Sequence, residues 1–303
     1  MKKLNLSIII PTRDRTSKII NTLNFLENNS FFFKEIIIVD SSDIHRRLSD
    51  DILDKYKKLN IKLILSKPSI SLQRNIGLVK ANKKTSYVMF LDDDINFKKN
   101  SLKKMYYFIK KSKPFNGLGF NLIVKDQNKF LEKIKKSFFF KFFGIYDNRV
   151  GIVTSSGWQT KAINLKKDQK VEWLPTQAVI YNYKIIKNKR FDLKYGIYSY
   201  LEDLDFSYRL RKSLIIYSKA KYSSSNIVNR NPLMFGKKEI VNRYIFVKKF
   251  NFSLINFFFG CLILIIKHFL SFLMLKSKFL LRMVGNIQGL LKIFFIKDIG
   301  KNK

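Results

Sequence analysis

The 303-residue chain is long enough for one large α/β domain or two smaller ones, and its 46% apolar content excludes a disordered polypeptide. Lysine and arginine number 59 against 22 acidic residues, and the resulting formal net charge of +37 points to an anionic partner or to a compositional bias towards Lys, Asn, Ile and Phe. A single cysteine, Cys261, excludes an intrachain disulfide, and with only His45 and His268 neither a histidine-rich zinc site nor a Ser-His-Asp triad is expected.

The lysines are spread along the chain without an arginine-rich arm or a nucleic-acid motif, so nucleic acid is not an expected partner. Cys261 sits in an apolar run, which fits a reducing compartment and a thiol acting as a small hydrophobe. Leu4 to Ile10 is too short for a signal peptide and lacks its cleavage context.

Leu6 to Ile10 reads as a buried strand stopped by Pro11. Thr16 or Ser17 can cap a helix carrying Ile19, Ile20, Leu23 and Leu26 at helical spacing. Glu35 to Asp40 is a second, β-branched strand that ends on a carboxylate, with the turn Ser41-Ser42-Asp43 behind it. Ile61 to Leu65 is a third strand, closed by Pro68. Ser71 to Ala81 follows as a helix with Leu72, Ile76 and Val79 on one stripe, and the fourth strand is Tyr87 to Leu91. Alternating strands and helices predict a mainly parallel α/β sheet in which Asp40, Asp43, Asp92, Asp93 and Asp94 meet at the rim formed by the strands' carboxyl ends. No GxGxxG or GxxxxGKS string is present, which argues against a dinucleotide site or a P-loop.

Further on, Ser101 to Lys111 is an amphipathic helix and Asn116 to Val124 a strand. Phe130 to Phe143 is either a mobile or membrane-facing insertion or a plain core helix, and Trp173 to Tyr181 brings a strand out of a turn. Two acidic strings carry the chemical interest. Asp92 to Asp94 form either a solvated turn or a cation site, because adjacent carboxylates repel and are costly to bury unpaired. Glu202, Asp203 and Asp205 open a helix in which Leu201, Leu204 and Tyr208 form an apolar stripe. They are either an ordinary charged helix start, with Asp205 pairing to Arg209, or a source of a proton acceptor.

Four strings in a fixed order narrow these readings: IPTRDR (Ile10 to Arg15), IIIVDSSD (Ile36 to Asp43), SLQRNIGL (Ser71 to Leu78) with FLDDD (Phe90 to Asp94), and LEDLDFSYRL (Leu201 to Leu210). Over about residues 4 to 250 the chain resembles glycosyltransferase family 2, inverting sugar-nucleotide-dependent enzymes with the Rossmann-like GT-A fold. The resemblance implies that Pro11, Thr12 and Arg13 line the base pocket with Asp40 close by, and that Arg74 and Asn75 help hold the nucleotide. Asp92 and Asp94 match the first and last carboxylates of a DXD motif, facing the ribose and the metal (Mg²⁺ or Mn²⁺), with Asp93 counted among the donor-binding residues. Asp203 matches the catalytic base, and Glu202 orients the acceptor or supports that base.

The chemistry accounts for these residue types. A poor hydroxyl nucleophile needs a carboxylate to take its proton, and a departing nucleoside diphosphate needs a cation held by one or two carboxylates. Three departures bear on donor recognition and phosphate contacts. Ser41 and Ser42 stand where the family has acidic and glycine positions, Thr176-Gln177-Ala178 replaces a Gly/Asn-rich segment, and Tyr222 to Arg230 lacks a histidine.

The expected organisation is residues 1–112 as the nucleotide-sugar half and 113–230 as the acceptor-binding half of one GT-A domain, then 231–303 as a C-terminal helical region. That last region holds 13 Lys+Arg against Glu239 and Asp298. Phe252 to Ile266, 15 residues, falls short of the roughly 20 apolar residues that span a bilayer, and extending it would bury Lys267 and His268. With Phe279 to Phe295 and the flanking Lys248, Lys249, Lys276, Lys278 and Arg282, it is expected to form interfacial or re-entrant helices at the inner face of the cell membrane, on an anionic surface. The expected function is transfer of a sugar from a nucleoside-diphosphate donor to a glycan or lipid-linked acceptor during surface polysaccharide synthesis. The alternatives are a catalytically inactive sugar-nucleotide-binding module and a basic polyanion- or nucleic-acid-binding protein.

Overall fold

The computed structural model describes residues 3–124, 138–197, 199–224, 231–273 and 277–295. Two compact units emerge: residues 1–125 with 162–226, and residues 126–161 with 227–303. The segment 126–161, assigned from sequence to the acceptor half, thus groups with the C-terminal helices.

In the first unit the strands are β1 (Leu6–Thr12), β2 (Glu35–Asp40), β3 (Ile61–Leu65), β4 (Tyr87–Leu91), β5 (Ile95–Phe97), β6 (Gly117–Leu122), β7 (Gln169–Val171), β8 (Ala178–Asn182) and β9 (Leu214–Ser224). They form one nine-stranded sheet in the order β3-β2-β1-β4-β8-β6-β9-β5, with β7 against β9. The first four strands are parallel to one another, as the alternating pattern predicts. Beyond β4 the sheet is mixed: β8 runs antiparallel to both β4 and β6, while β9 is parallel to β6 and antiparallel to β5 and β7. The expectation of a mainly parallel sheet therefore describes its first half. β9 was not foreseen, although its burial alternates with period two from Leu214 to Tyr222.

Every residue of β1 and β2 is buried, as required of strands covered on both faces. The pleat sorts their side chains. Leu6, Ile8 and Ile10 join Ile36, Ile38, Met89 and Leu91 in one core, whereas Ile9 joins Ile37, Val39, Val88 and Phe90 in the other. Helix α1 (Thr16–Glu27) covers the first face through Ile19, Leu23 and Leu26. Helix α2 (Ile70–Lys80), capped by the Ser69 hydroxyl accepting from the Leu72 amide, lies over the second.

The buried face of α2 is not the predicted Leu72-Ile76-Val79 stripe. Ser71, Gln73, Arg74, Gly77 and Leu78 face inward, while Val79 is 56% exposed. Gly77 explains the inversion, because a Cβ there would overlap the Ile9 side chain, so the helix rests its backbone directly on β1. Polar Gln73 and Arg74 are thereby carried over the strand ends. The Gln73 amide donates to the carbonyls of Thr12 (2.8 Å) and Val39 (2.7 Å), tying β1 to β2 where both terminate.

Helix α3 (Ser101–Lys111) matches its predicted bounds, and α4 (Glu202–Tyr208) begins the acidic motif as expected. The second unit contains α5 (Pro232–Lys249), α6 (Leu254–Leu273) and α7 (Lys278–Phe294), together with a short helix Phe138–Phe142. Of the Phe130 to Phe143 stretch, residues 130–137 lie outside the described residues. The apolar run does not end at Ile266: α6 is one continuous helix of 20 residues that contains Lys267 and His268. His268 turns inward, 1% exposed, and its ring pairs with Asn286 at 2.7 Å, which is how the helix accommodates the residue that shortened the apolar reading. By length and composition α6 can cross a membrane, the single such helix among the described residues. Cys261 is buried, as expected.

Because Gly77 sets the approach of α2, Gly77→Val is expected to push the helix off β1 at a cost of about 1–3 kcal/mol. Chemical denaturation would register this as a lower midpoint with an unchanged slope; an unshifted midpoint would mean that Ile9 yields without strain.

Candidate active site

The acidic string follows β4, and the pleat divides it. Asp92 continues the alternation of Val88 and Phe90, on the α2 side. Asp93 continues that of Met89 and Leu91, on the α1 side. The hydrogen bonds agree with this division.

Asp93 is 4% exposed and accepts from the Thr12 hydroxyl (2.7 Å) and Arg15 Nη1 (3.0 Å), while its carbonyl accepts from the Thr22 hydroxyl (3.0 Å). Burial pushes its carboxyl up, and Thr12 and Arg15 pull it back. Asp92 instead meets Arg74, whose Nη2 donates to Asp92 Oδ1 at 3.0 Å while its Nη1 donates to Glu202 Oε1 at 2.9 Å. The guanidinium is 2% exposed and lies 5.5 Å from the centre of the Phe191 ring. One buried cation therefore joins the string after β4 to the string that opens α4, although 128 residues separate Arg74 from Glu202.

Two further α2 side chains fasten the same region. Asn75 makes a two-way latch, its amide donating to the Phe191 carbonyl (2.9 Å) and its oxygen accepting from the Phe191 amide (2.7 Å), and the Ser71 and Ser199 hydroxyls are 2.9 Å apart. Positions 71, 74 and 75 share one face of a helix, so α2 acts as a clamp on the 191–202 segment. Phe191 stacks on Phe206 at 4.1 Å and meets Phe90 edge-on at 5.1 Å, which extends the clamp into the core. Arg74 and Asn75, expected to hold the nucleotide, thus make these contacts within the protein.

α4 begins from a strained turn. Leu201, buried, has φ +74°, a left-handed conformation that costs a bulky residue on the order of 1–3 kcal/mol. The reversal delivers Glu202 to Arg74 and leaves Asp203 half-buried, with its Oδ1 accepting from the Leu204 amide at 2.8 Å. Burial and then the Glu202 charge push the Asp203 carboxyl up to about 7, with Asp92 adding to the effect and the Leu204 amide and Arg74 opposing it. Asp92 is likewise pushed up by burial to about 6, opposed by Arg74 and reinforced by Asp93 and Asp94. Tyr222, fully buried, is pushed up by burial and by the charges of Asp92 and Asp203 together. Asp205 belongs to the packing: it is fully buried and paired with Arg209 at 3.1 Å, as its spacing predicts.

The remaining candidates line the rim. Pro11 and Thr12 are buried at the end of β1 beside Val39 and Asp40 of β2. Arg13 is 37% exposed and approaches Asp14 (3.4 Å) and Asp43 (4.0 Å). Asp40, 1% exposed, accepts from the Ser42 amide and hydroxyl and from the Leu48 amide. Asp94 is 11% exposed, and its recorded partner is Arg15 Nη1 at 3.8 Å, longer than a hydrogen bond.

Two residues that looked like departures from the family pattern have structural roles. Ser42 closes the Asp14 turn, accepting from the Asp14 amide at 2.7 Å, and Gln177 accepts the Asp92 amide on its carbonyl (2.9 Å) and the Tyr222 hydroxyl on its side chain (3.2 Å). Gln73, Arg15 and Leu201 also shape the site but were not singled out from sequence. Of the segment Tyr222 to Arg230, where a histidine was looked for, residues 225–230 lie outside the described residues.

Among the described residues no three His, Cys, Asp or Glu side chains gather closely enough to hold a metal by themselves. The available set is Asp94 and the second oxygen of Asp92, hard oxygen donors that suit Mg²⁺ or Mn²⁺ only when a substrate's phosphates complete the shell.

A mixed sheet of this order carrying an acidic rim is a GT-A-like scaffold. The family model "Glycosyl transferase family 2" matches residues 7–172, more than half of the chain, and the chain belongs to that family. The match ends before Glu202 and Asp203. Amylovoran biosynthesis glycosyltransferase AmsB of Erwinia amylovora is 32% identical over 108 residues, which is 34% of this chain and 35% of that protein. The chain thus aligns with about a third of that relative's length. Among solved structures, S. aureus TarS 1-349 in complex with UDP-GlcNAc superposes with a TM-score of 0.50 at 21% identity, covering 82% of this chain and 66% of that one. Mannosyltransferase PcManGT from Pyrobaculum calidifontis, in complex with GDP-Man and Mn2+, gives 0.52 at 12% identity, covering 81% and 63%. At these identities the structures establish the shared fold.

Removing the cation from Arg74 would leave Asp92 and Glu202 facing each other without a countercharge. Arg74→Met is therefore expected to cost about 3–5 kcal/mol of stability, read from denaturant unfolding. A loss below about 0.5 kcal/mol, typical of surface positions, would contradict the bridge.

Proposed function

We propose that the protein is an inverting glycosyltransferase that moves a sugar from a nucleoside-diphosphate donor to a hydroxyl of a glycan or lipid-linked acceptor in surface polysaccharide synthesis. The observation that carries this reading is the Arg74 bridge, which brings the DXD carboxylates and the Glu202-Asp203 pair to one rim. The biosynthetic pathway rests on the likeness to the amylovoran biosynthesis protein, and a UDP- or GDP-sugar donor on the ligands named for TarS and PcManGT.

In this reading Pro11, Thr12, Arg13 and Asp40 border the base and ribose, and Asp92 and Asp94 face the donor diphosphate. A bound Mg²⁺ or Mn²⁺ would neutralise charge accumulating on the departing diphosphate. Asp94 and Asp92 Oδ2 would hold it, with the remaining positions left to phosphate and water. Asp93, Arg74 and Asn75 act as braces: Asp93 fixes the turn from the α1 side, while Arg74 and Asn75 set the distance between the donor and acceptor carboxylates.

Asp203 accepts the acceptor hydroxyl's proton as its oxygen attacks the anomeric carbon from the face opposite the leaving group. The new C–O bond forms as the bond to the diphosphate breaks, and the proton ends on the carboxylate. A carboxyl raised to about 7 is a stronger base than an ordinary aspartate and still ionises at neutral pH. Glu202, held by Arg74, raises the proton affinity of Asp203 through its charge, and the Leu204 amide fixes the Asp203 carboxylate.

Release of nucleoside diphosphate from a panel of sugar nucleotides with Mn²⁺ tests the reading. Asp203→Asn is expected to lower transfer by about 10²–10⁴-fold while donor affinity, read by calorimetry, stays unchanged. Asp94→Asn is expected to remove the metal dependence of donor binding. Normal turnover by Asp203→Asn would strip that residue of its role, and donor binding without turnover by the unaltered chain would identify an inactive sugar-nucleotide-binding module.

The raised carboxyl also fixes a pH dependence. Below about pH 7 Asp203 holds a proton and cannot accept another, so transfer should fall about tenfold per unit as pH drops and level off above 7. The unfolded chain releases the same proton near pH 4, so between about 4 and 7 the folded state binds more protons and loses stability as pH rises. Asp203→Asn is accordingly expected to be more heat-stable than the parent at pH 8 even as it loses transfer; a lower melting temperature would mean that the carboxylate is structurally favourable.

A further inference from the structure

The second unit exposes an apolar face that the transfer reaction does not use. Along α6 the residues Ile255, Leu262, Ile266, Leu270 and Leu273 recur at helical spacing, and all are between 47% and 70% exposed. On the opposite side Phe257, Cys261, Leu264 and His268 are buried. α7 repeats the arrangement, with Leu280, Ile287, Leu291 and Phe294 outward and Gly285, Asn286, Gly289 and Ile293 inward. The two helices run antiparallel: Phe258 near the start of α6 stacks on Phe294 near the end of α7, while His268 lies against Phe279.

The inside combines an apolar cluster of Ile240, Val247, Phe257, Cys261, Leu264 and Ile293 with small-residue and polar contacts. Cβ atoms on Gly285 of α7 and Gly236 of α5 would overlap the Leu233 and Arg282 carbonyls, so these helices pack backbone against backbone. Asn286 donates to the Gly236 carbonyl at 2.9 Å and pairs with His268 at 2.7 Å, and Arg282 makes a forked pair with Glu239 at 3.0 and 3.2 Å.

A water-soluble helix bundle turns apolar residues in and polar ones out. Here large aliphatics cover the outside as well as the inside, and only 28% of the apolar window of α6 is buried. Small-residue contacts with interhelical hydrogen bonds inside and large aliphatics outside are what a hydrocarbon solvent selects. Lys267 sits about a third of a turn from the middle of the apolar stripe, where a long stem can carry its charge sideways. Lys248, Lys249, Lys278 and Lys292 stand near the ends of the pair, suited to anionic headgroups.

We propose that the α6–α7 hairpin is embedded in the hydrocarbon of a lipid bilayer with anionic headgroups, its outward stripes against acyl chains and its glycines, Asn286 and His268 facing inward. This differs from a peripheral attachment by charge, and it does not depend on the chemistry assigned to the first unit. Embedding of this kind also explains why a chain with so basic a composition exposes a contiguous apolar surface at all.

Two measurements on the full chain test it. Floated with vesicles of phosphatidylcholine and phosphatidylglycerol, the unaltered protein should stay with the lipid through a high-salt wash and come away only in detergent. Release by salt would overturn the embedding. Because Cys261 is the one thiol, a Cys261→Ala background accepts single reporters. Leu262→Cys and Leu291→Cys should resist a membrane-impermeant maleimide in vesicles and react in detergent, while Lys58→Cys on the first unit reacts in both. Labelling of residues 262 and 291 in vesicles would refute the proposal. Protection that needs no lipid and grows with protein concentration would also refute it, assigning the face to a second copy of the chain.

Discussion

The candidate site depends on one guanidinium. Arg74 is almost wholly buried, and its two terminal nitrogens reach carboxylates from distant parts of the chain. Burying a cation between two anions is expensive in isolation, and the geometry is tolerable because each charge has a specific partner and the ring of Phe191 covers the plane. In the same arrangement burial first, and then the charge of Glu202, raises the proton affinity of Asp203, with Arg74 opposing the rise. A carboxylate with raised proton affinity suits the proton acceptor proposed above, so the charges that join the two acidic strings would also serve that chemistry.

Much of this was legible from residues alone. The four opening strands and the parallel start of the sheet follow from apolar, partly β-branched runs, the first acidic motif from the strand it follows, and the second from the apolar stripe of the helix it opens. Reading Asp92 to Asp94 as one cluster was too coarse, because the same two-residue period that located β4 already assigned Asp93 to the opposite face. The face of α2 was misread for a different reason. Hydrophobic periodicity names the apolar stripe, yet Gly77 permits a backbone approach that draws polar Gln73 and Arg74 inward. β9 escaped because its lysines mask an alternation carried by Leu214, Ile216, Ala220 and Tyr222.

The C-terminal helices illustrate a limit of counting apolar residues. Lys267 and His268 were taken to interrupt a run, but a helix has sides, and a buried histidine paired with Asn286 interrupts nothing. Conversely, no sequence window could reveal that Asn286 and Glu239, on different helices, face the same interior.

The alternation at the end of β4 carries a consequence for how this family member can diverge. Substitutions between Tyr87 and Asp94 alter one contact at a time, but inserting or deleting a single residue there would exchange the two sides wholesale. Asp93 would be delivered to Arg74, and one of its neighbours would be pressed against Thr12 and Arg15. The segment can therefore drift in composition while its length is held, a constraint set by the alternation of β4 up to Leu91 and by the turn that carries Asp93 and Asp94.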